Sequence, residues 1–196
     1  MDRIRREGRV LPGGLLQVDG FVNHALDPAL TLAMGEAFAE RFEALRVAKP
    51  DRIVTAEVSG IAPALATGMV VDAPVTFARK QVPKTLTPPL LQARSASRTK
   101  GGESLLTVSP ERLLPGERVW IIDDFLARGS TLAALASLVR EADAQLTAVG
   151  VVIEKTFEGG RAALTHLSVP LVALAAVDGL EAPAGDVPGR IDVREG

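Results

Sequence analysis

The stretch VWIIDDFLARGST, Val119 to Thr131, decides the fold. Val119 to Ile122 form a short apolar run of the kind shown by a strand buried in a parallel sheet. Asp123 and Asp124 follow side by side. A glycine turn then brings Ser130 and Thr131 to the position where a helix begins. A strand that ends in two acids and turns through Gly-Ser-Thr into a helix has two chemical abilities. Its carboxylates accept hydrogen bonds from vicinal hydroxyls or meet a hydrated metal ion. Its turn offers backbone N–H groups and hydroxyls to a phosphate. A sugar phosphate presents both kinds of group a short distance apart.

Strands and helices alternate outward from this stretch. Before it, Arg52 to Glu57 reads as a β-branched strand, followed by a Ser59-Gly60 turn and a small-residue helix from about Ile61 to Val70. Pro74 to Arg79 is the next strand. After it come an Ala/Leu-rich helix, Ser130 to Ala142, and a strand, Leu146 to Ile153, that ends in Glu154-Lys155-Thr156-Phe157. A helix from about Arg161 to His166 and a strand from about Leu171 to Val177 complete the pattern. The tail, with Gly179, Pro183, Gly185, Pro188 and Gly189, reads as loop. The alternation from residue 52 to 177 predicts an α/β fold, a mostly parallel sheet flanked by helices on both faces. Ser59-Gly60, Arg79-Lys80, Asp123 to Thr131 and Lys155 to Phe157 then all lie past the C-terminal ends of strands. Open α/β sheets bind ligands along that edge.

Residues 2 to 8 form a candidate short basic helix with a solvated start and a snorkelling Ile4. The next segment, VLPGGLLQVDGFVNHALDP, mixes Pro12, Gly13, Gly14 and Gly20 with Leu15, Leu16, Val18, Phe21 and Val22. Such a segment caps a core or lines a lid over a flat ligand. Asp27-Pro28 reads as a helix N-cap and first helical residue. The helix runs to about Leu45, with Leu30, Met34, Phe38 and Phe42 on one stripe. Residues 73 to 102 hold Arg79, Lys80, Lys84, Arg94, Arg98 and Lys100 but no Asp or Glu. Gly101-Gly102 reads as the turn of a hairpin joining about Leu90–Arg98 to Glu103–Val108. A solvated basic face is the plain account of this run, and a lid for a polyanionic substrate is the functional one. Trp120 reads as core, and His166 as structural.

The bulk numbers exclude several classes. The 196 residues fit a domain with room for a core, and 47% hydrophobic with 23% charged residues is a globular composition. A net charge of −2 gives no whole-chain attraction to nucleic acid or anionic membrane. Cys is absent, which excludes disulfides and thiolate metal sites and fits a reducing compartment. No apolar run approaches the ~20 residues of a membrane-spanning helix, and MDRIRREGRV lacks the apolar core of a signal peptide. The expected location is cytoplasmic.

VWIIDDFLARGST resembles the phosphoribosyl-pyrophosphate motif of the type I phosphoribosyltransferases. Taken with LLQVDGFVNHALDP, EVSGIAP, PVTFARK and GVVIEKTFEGGR, the chain resembles the bacterial xanthine phosphoribosyltransferases along nearly its whole length. The resemblance implies a type I phosphoribosyltransferase fold over residues 1–196. Residues 1–50 would supply a small hood and a leading helix, 51–178 the core sheet, and 79–104 a flexible lid hairpin. It implies transfer of a phosphoribosyl group from phosphoribosyl pyrophosphate to xanthine, with Mg²⁺ held mainly by the substrate and no metal ligand assigned directly. A homodimer is implied as well. Asp123 and Asp124 would accept from the ribose hydroxyls. Neighbouring side chains oppose each other in a regular strand, so the chain is expected to be turning already at that point. Ala127, Arg128, Gly129, Ser130 and Thr131 would wrap the terminal phosphate, and Val58, Ser59 and Gly60 would meet the pyrophosphate. Lys80 and Lys84 would neutralise the leaving group.

By the same resemblance, Lys155 contacts a ring carbonyl, and Leu16 and Asn23 complete the purine site. A charged donor aimed at a carbonyl prefers oxo-purines to adenine. The Asn23 amide donates to a second carbonyl, which xanthine has and hypoxanthine lacks. Phe157 or Phe125 would stack on the ring or simply pack the core. Hypoxanthine-guanine enzymes carry an acid where this chain has Ala127, so no general base is assigned. The alternatives are hypoxanthine/guanine or adenine transfer, a phosphoribosyl-pyrophosphate-sensing regulator of the same fold, and a receiver-like domain whose paired acids bind magnesium. The regulator would need a DNA-binding element that residues 1–50 do not resemble. The receiver reading leaves Lys155, the acid-free run and the phosphate loop without a role.

Overall fold

The computed structural model describes residues 1–82, 87–96, 103–184 and 189–196. The chain opens with helix α1 (Asp2–Glu7) and an antiparallel hairpin of β1 (Arg9–Leu11) and β2 (Leu15–Gln17). A single helical turn, Asp19–Asn23, leads into α2 (Pro28–Ala44). The Asp27 carboxylate accepts from the Leu30 amide at 3.1 Å, and Pro28 starts the helix where no N–H is needed. There follow β3 (Arg52–Ala56), α3 (Ile61–Val71), β4 (Val75–Ala78), an antiparallel hairpin of β5 (Leu91–Ala96) and β6 (Glu103–Val108), and β7 (Arg118–Leu126). The chain ends with α4 (Ser130–Glu141), β8 (Gln145–Lys155), α5 (Gly160–Ala163), β9 (Leu171–Glu181) and β10 (Arg190–Glu195).

The main sheet has the order β10-β9-β8-β7-β3-β4. It is parallel from β4 to β9, and β10 joins β9 antiparallel. Chain order reverses between β3 and β7. The connection from β3 returns through α3 to β4 on one side, and the connection from β7 returns through α4 to β8 on the other. Loops leaving two neighbouring strands for opposite faces open a crevice between them, the place where such sheets bind ligands. Here the crevice lies between residues 57–60 and residues 127–131.

Each face of the sheet carries its own apolar cluster. Phe38 and Phe42 of α2 are fully buried with Ile53, Trp120 and Ile122, and the Phe42 and Trp120 ring centroids lie 4.6 Å apart. On the other face Leu132, Leu135, Leu138 and Val139 of α4 meet Val54, Val119 and Ile121. The β5–β6 hairpin packs on α4 and adds Leu91, Leu106 and Val108 to this cluster. β7 and β8 are almost wholly buried, as their continuous apolar runs predict.

The structure departs from the sequence expectations in several places. The tail forms a strand, and the sheet continues past residue 178. RIDVRE alternates, with Val193 buried and Arg190, Asp192, Arg194 and Glu195 exposed. Charge along an edge strand suppresses pairing with other chains, and here it masked the alternation. The helix expected from Arg161 to His166 is α5 followed by a separate turn, Thr165–Leu167, with Leu164 buried between them. Ile4 is buried where α1 lies against β10, not snorkelling. The turn-rich N-terminal segment contains the β1–β2 hairpin. The hairpin expected from the basic run is present as β5–β6, while Gly101-Gly102 lies outside the described residues.

Replacing Phe42 with Ala removes a fully buried ring that packs on Trp120, and should cost ~3–5 kcal/mol. Urea unfolding should show a lower midpoint with an unchanged slope. A loss below ~1 kcal/mol would show that this aromatic contact does not anchor α2 to the sheet.

Candidate active site

Asp123 and Asp124 occupy β7 near its C-terminal end, inside the strand and not beyond it. The ladder to β8 continues past them, through Phe125↔Ile153 and Leu126↔Glu154. The expectation that the chain is already turning there is therefore corrected. What changes is the phase of the sheet. Trp120 and Ile122 pack towards α2 and Val119 and Ile121 towards α4, but beyond the acids Phe125 faces the α2 cluster and Leu126 the α4 cluster. On β8, Val149 and Val151 belong to the α4 cluster while Val152 and Ile153 both belong to the α2 cluster, and the register to β7 is constant over this stretch.

Both carboxylates reach the same turn. Asp123 Oδ1 lies so close to Gly60 that a Cβ there would sit 2.3 Å from it. The Ser59 side chain lies close enough to Asp124 to favour its charged form. The Asp124 amide donates to Asp123 Oδ1 at 3.0 Å, and the Phe125 amide to Asp124 Oδ1 at 2.9 Å. Asp123 is 5% exposed. Burial raises its carboxyl well above the usual range, the Asp124 charge adds to the rise, and Lys80 opposes it. Burial also raises Asp124, against the opposing hydrogen bonds from the Phe125 amide, Asp123 and Ser59. Two buried carboxylates side by side favour taking up a proton, and Ser59 and Lys80 offset only part of that tendency.

Around this pair the expected loops converge. Residues 57–60 turn tightly from β3 into α3, with Gly60 buried and Val58 73% exposed. The Glu57–Val58 peptide bond is cis. Glu57 Oε1 accepts from the Lys80 amide at 2.7 Å and so joins the β3 and β4 ends. Ala127, Arg128 and Gly129 form the bend after β7. Gly129 has φ +82°, the left-handed region that favours glycine, and Ser130 and Thr131 begin α4 directly after it. The N-terminus of α4 follows directly on the end of β7, and a helix N-terminus favours an anion. Lys84 lies outside the described residues.

The base-assigned residues lie at the other end. Lys155 closes β8, is 7% exposed, and holds its Nζ 5.5 Å from the Phe125 ring centroid. Leu16 is half-buried in β2, and Asn23 is exposed at the end of the Asp19–Asn23 turn. A cavity of about 420 Å³ separates the β1–β2 turn from the β7 and β8 ends, lined by Gly13, Gly14, Leu15, Arg128, Phe157, Glu158 and Leu180. The chain neighbour Leu15 lines it rather than Leu16, and Asn23 is not among its described lining residues. Sequence reading missed three contributors. Glu57 ties two loops together. Glu158 lies within 3.8 Å of both Lys155 and Arg128. Arg161 holds buried Glu154 at 2.9 Å and so fixes the β8 end. The Glu-Lys and Lys-x-x-Glu spacings were visible, but a charge pair carries no such meaning until strand ends are placed.

Residues 25–161 match the phosphoribosyl transferase domain, and the chain belongs to that family. Among its relatives, the xanthine phosphoribosyltransferase of Deinococcus deserti is 55% identical over 175 residues, covering 89% of each chain. That of an Exiguobacterium species is 46% identical over 180 residues, covering 92% of each. The solved adenine phosphoribosyltransferase of Thermoanaerobacter pseudethanolicus aligns with a TM-score of 0.65 and 26% identity, over 76% of this chain and 81% of that one. The family resemblance and the α/β type I phosphoribosyltransferase fold expected from the sequence are borne out.

The acid pair gives stability a definite pH dependence. Folding raises the pKa, so the folded state binds more protons between the unfolded and folded values, and stability falls as pH rises through that window. Asp123→Asn should therefore melt ~2 °C or more above the wild type at pH 8. The gap should narrow on acidification, as the wild-type pair takes up protons. Calorimetric scans from pH 8 downwards that show no gap, or a widening one on acidification, would contradict proton uptake by the pair.

Proposed function

We infer that the chain transfers the phosphoribosyl group of phosphoribosyl pyrophosphate to xanthine, releasing xanthosine monophosphate and pyrophosphate. The observation that carries this reading is the buried Asp123-Asp124 pair. It is held against the Ser59-Gly60 turn and precedes the first amides of α4, at the switch point of the sheet. The identity to xanthine phosphoribosyltransferases supports the choice of base.

In this reading Asp123 and Asp124 take the two ribose hydroxyls as donors, which relieves the repulsion of two buried acids. The backbone of Ala127 to Thr131 and the hydroxyls of Ser130 and Thr131 hold the terminal phosphate. Val58, Ser59 and Gly60 approach the pyrophosphate with backbone amides. Gly60 leaves the room that a side chain would fill. Lys80, with its amide fixed by Glu57, and Lys84 offer positive charge to the leaving group. The same acids suit Mg²⁺, a hard cation that takes carboxylate and phosphate oxygens. Among the described residues no three His, Asp or Glu side chains converge on one metal position, so the cosubstrate would supply most ligands. When bound, the ion neutralises charge on the departing pyrophosphate.

Substitution at the anomeric carbon needs no nucleophilic side chain. The chain's own contribution is positioning and electrostatic stabilisation. Lys155 donates to a purine carbonyl, Asn23 to the second one, and Leu16 packs beside the β1–β2 turn. This turn serves as the hood and the β5–β6 hairpin as the lid. A homodimer completes the reading. Ile61, Leu65 and Met69 are spaced four apart on α3, with Leu65 54% and Met69 71% exposed, an apolar stripe suited to a second copy.

Steady-state kinetics with phosphoribosyl pyrophosphate, Mg²⁺ and each of xanthine, guanine, hypoxanthine and adenine test the assignment. Xanthine should give the highest kcat/KM, and a clear preference for another base would overturn it. Asp124→Asn should lower kcat by ~100-fold or more. Asn23→Ala should reduce kcat/KM for xanthine by ~10-fold relative to hypoxanthine, because it strands one buried carbonyl. An equal loss on both bases would remove Asn23 from base selection. Met69→Glu should lower the mass measured by light scattering to that of one chain; an unchanged dimer would move the interface elsewhere.

A further inference from the structure

Glu158 has no role in the reading above, yet its carboxylate lies between the two ends of the site. Oε1 is 3.8 Å from Lys155 Nζ, and Oε2 is 3.8 Å from Arg128 Nε. The Lys155 and Glu158 side chains are each 9% exposed, while that of Arg128 is 74% exposed. Glu158 also lines the cavity between the β1–β2 turn and the β8 end, with Arg128 and Phe157. A buried ammonium loses its charge readily unless a carboxylate faces it.

Among the described residues, the other acids near Lys155 have partners of their own. Glu154, its neighbour on β8, binds Arg161. Asp178 on β9 accepts from Thr156 at 2.7 Å and from Arg194 at 2.7 Å. On β7, Asp123 and Asp124 are turned to the Ser59-Gly60 turn, with Lys80 opposite. From the phosphate loop the facing charge is Arg128, a like charge whose effect on Lys155 Glu158 also offsets.

We propose that Glu158 is a positioning residue for the purine. It keeps Lys155 charged and aimed at the base, and its second oxygen ties that end of the site to Arg128 of the phosphate loop. The proposal rests on the reading in which Lys155 meets the base. The two contacts are unequal: the pair with exposed Arg128 is screened by water, whereas the pair with Lys155 is not. Loss of the Glu158 charge should therefore damage base binding far more than cosubstrate binding.

The test compares the wild type, Glu158→Gln and Glu158→Asp as full chains with Mg²⁺. Glu158→Gln should raise the xanthine KM by ~10-fold or more and change the phosphoribosyl pyrophosphate KM by less than ~3-fold. The alkaline limb of kcat/KM for xanthine should move down by ~1 pH unit or more. The wild type on the same substrate cancels the ionisation of xanthine itself. Glu158→Asp keeps the charge and should retain most of the wild-type behaviour. A packing role would reverse the order, because Gln is the better match in shape and Asp is shorter. A Gln variant better than Asp, or one with both KM values raised together and an unmoved alkaline limb, overturns the proposal.

Titration of the Lys155 side-chain nitrogen by NMR in the ligand-free protein separates this inference from the assigned activity. A midpoint lowered in Glu158→Gln and kept in Glu158→Asp supports the pairing even if xanthine proves not to be the substrate. An unmoved midpoint in an active enzyme rejects the Glu158 role alone.

Discussion

Two carboxylates buried side by side near the end of the central strand are the constraint around which the site is built. Desolvation and mutual repulsion both act against Asp123 and Asp124. Ser59, two backbone amides and the charge of Lys80 offset part of that cost. Each of these partners is supplied by a neighbour in the sheet or by the chain just beyond the acids. The β3 turn must press against β7, which only glycine at position 60 permits. The β4 end must be held near by, which Glu57 does through the Lys80 amide. The arrangement is poised for a ligand that brings hydroxyl donors and positive charge to the same place.

The two ends of the crevice solve different electrostatic problems. At the phosphate end the positive field comes from backbone amides and helix α4, which cannot lose a proton, and from solvated cations. The base end is drier. Lys155 there is 7% exposed and adjoins Glu158, and Glu154 beside it is 4% exposed and held by Arg161. In the proposed reading phosphate binding tolerates exposure, as at Arg128, while recognition of a flat oxo-purine uses a buried donor with its counter-charge built in.

The sequence carried most of the frame. Continuous apolar runs identified β3, β7 and β8 because these strands are buried on both faces, and Asp27-Pro28 marked the start of α2 because capping is local chemistry. Where the alternation was written over by charge or by turn residues, the reading failed: β10 is disguised by its exposed Arg, Asp and Glu, and the β1–β2 hairpin by Pro12, Gly13 and Gly14. The meeting of Asp123 with Asp124 was inferred from chemistry, but by the wrong means. The strand does not stop; its ladder to β8 continues past the acids, and pairing between strands is a property that no single segment states. The Glu57–Lys80 and Glu158–Arg128 contacts join loops distant along the chain, and only the strand order brings them together.

Base choice and cosubstrate binding also divide along the chain. The match to the general phosphoribosyl transferase domain begins at residue 25, after Leu16 and Asn23, and includes the acid pair, both phosphate-facing turns and Lys155. The likeness to xanthine phosphoribosyltransferases extends further, over 89% and 92% of the chain. A segment shared by a whole family suits the chemistry that all its members perform on one sugar phosphate. In the proposed reading Lys155 favours a carbonyl, and the β1–β2 hairpin with the turn after it covers the base. The hairpin is also a small element, joined to the sheet edge through β10. In the proposed reading it contributes to the base site while lying outside the crevice between β3 and β7.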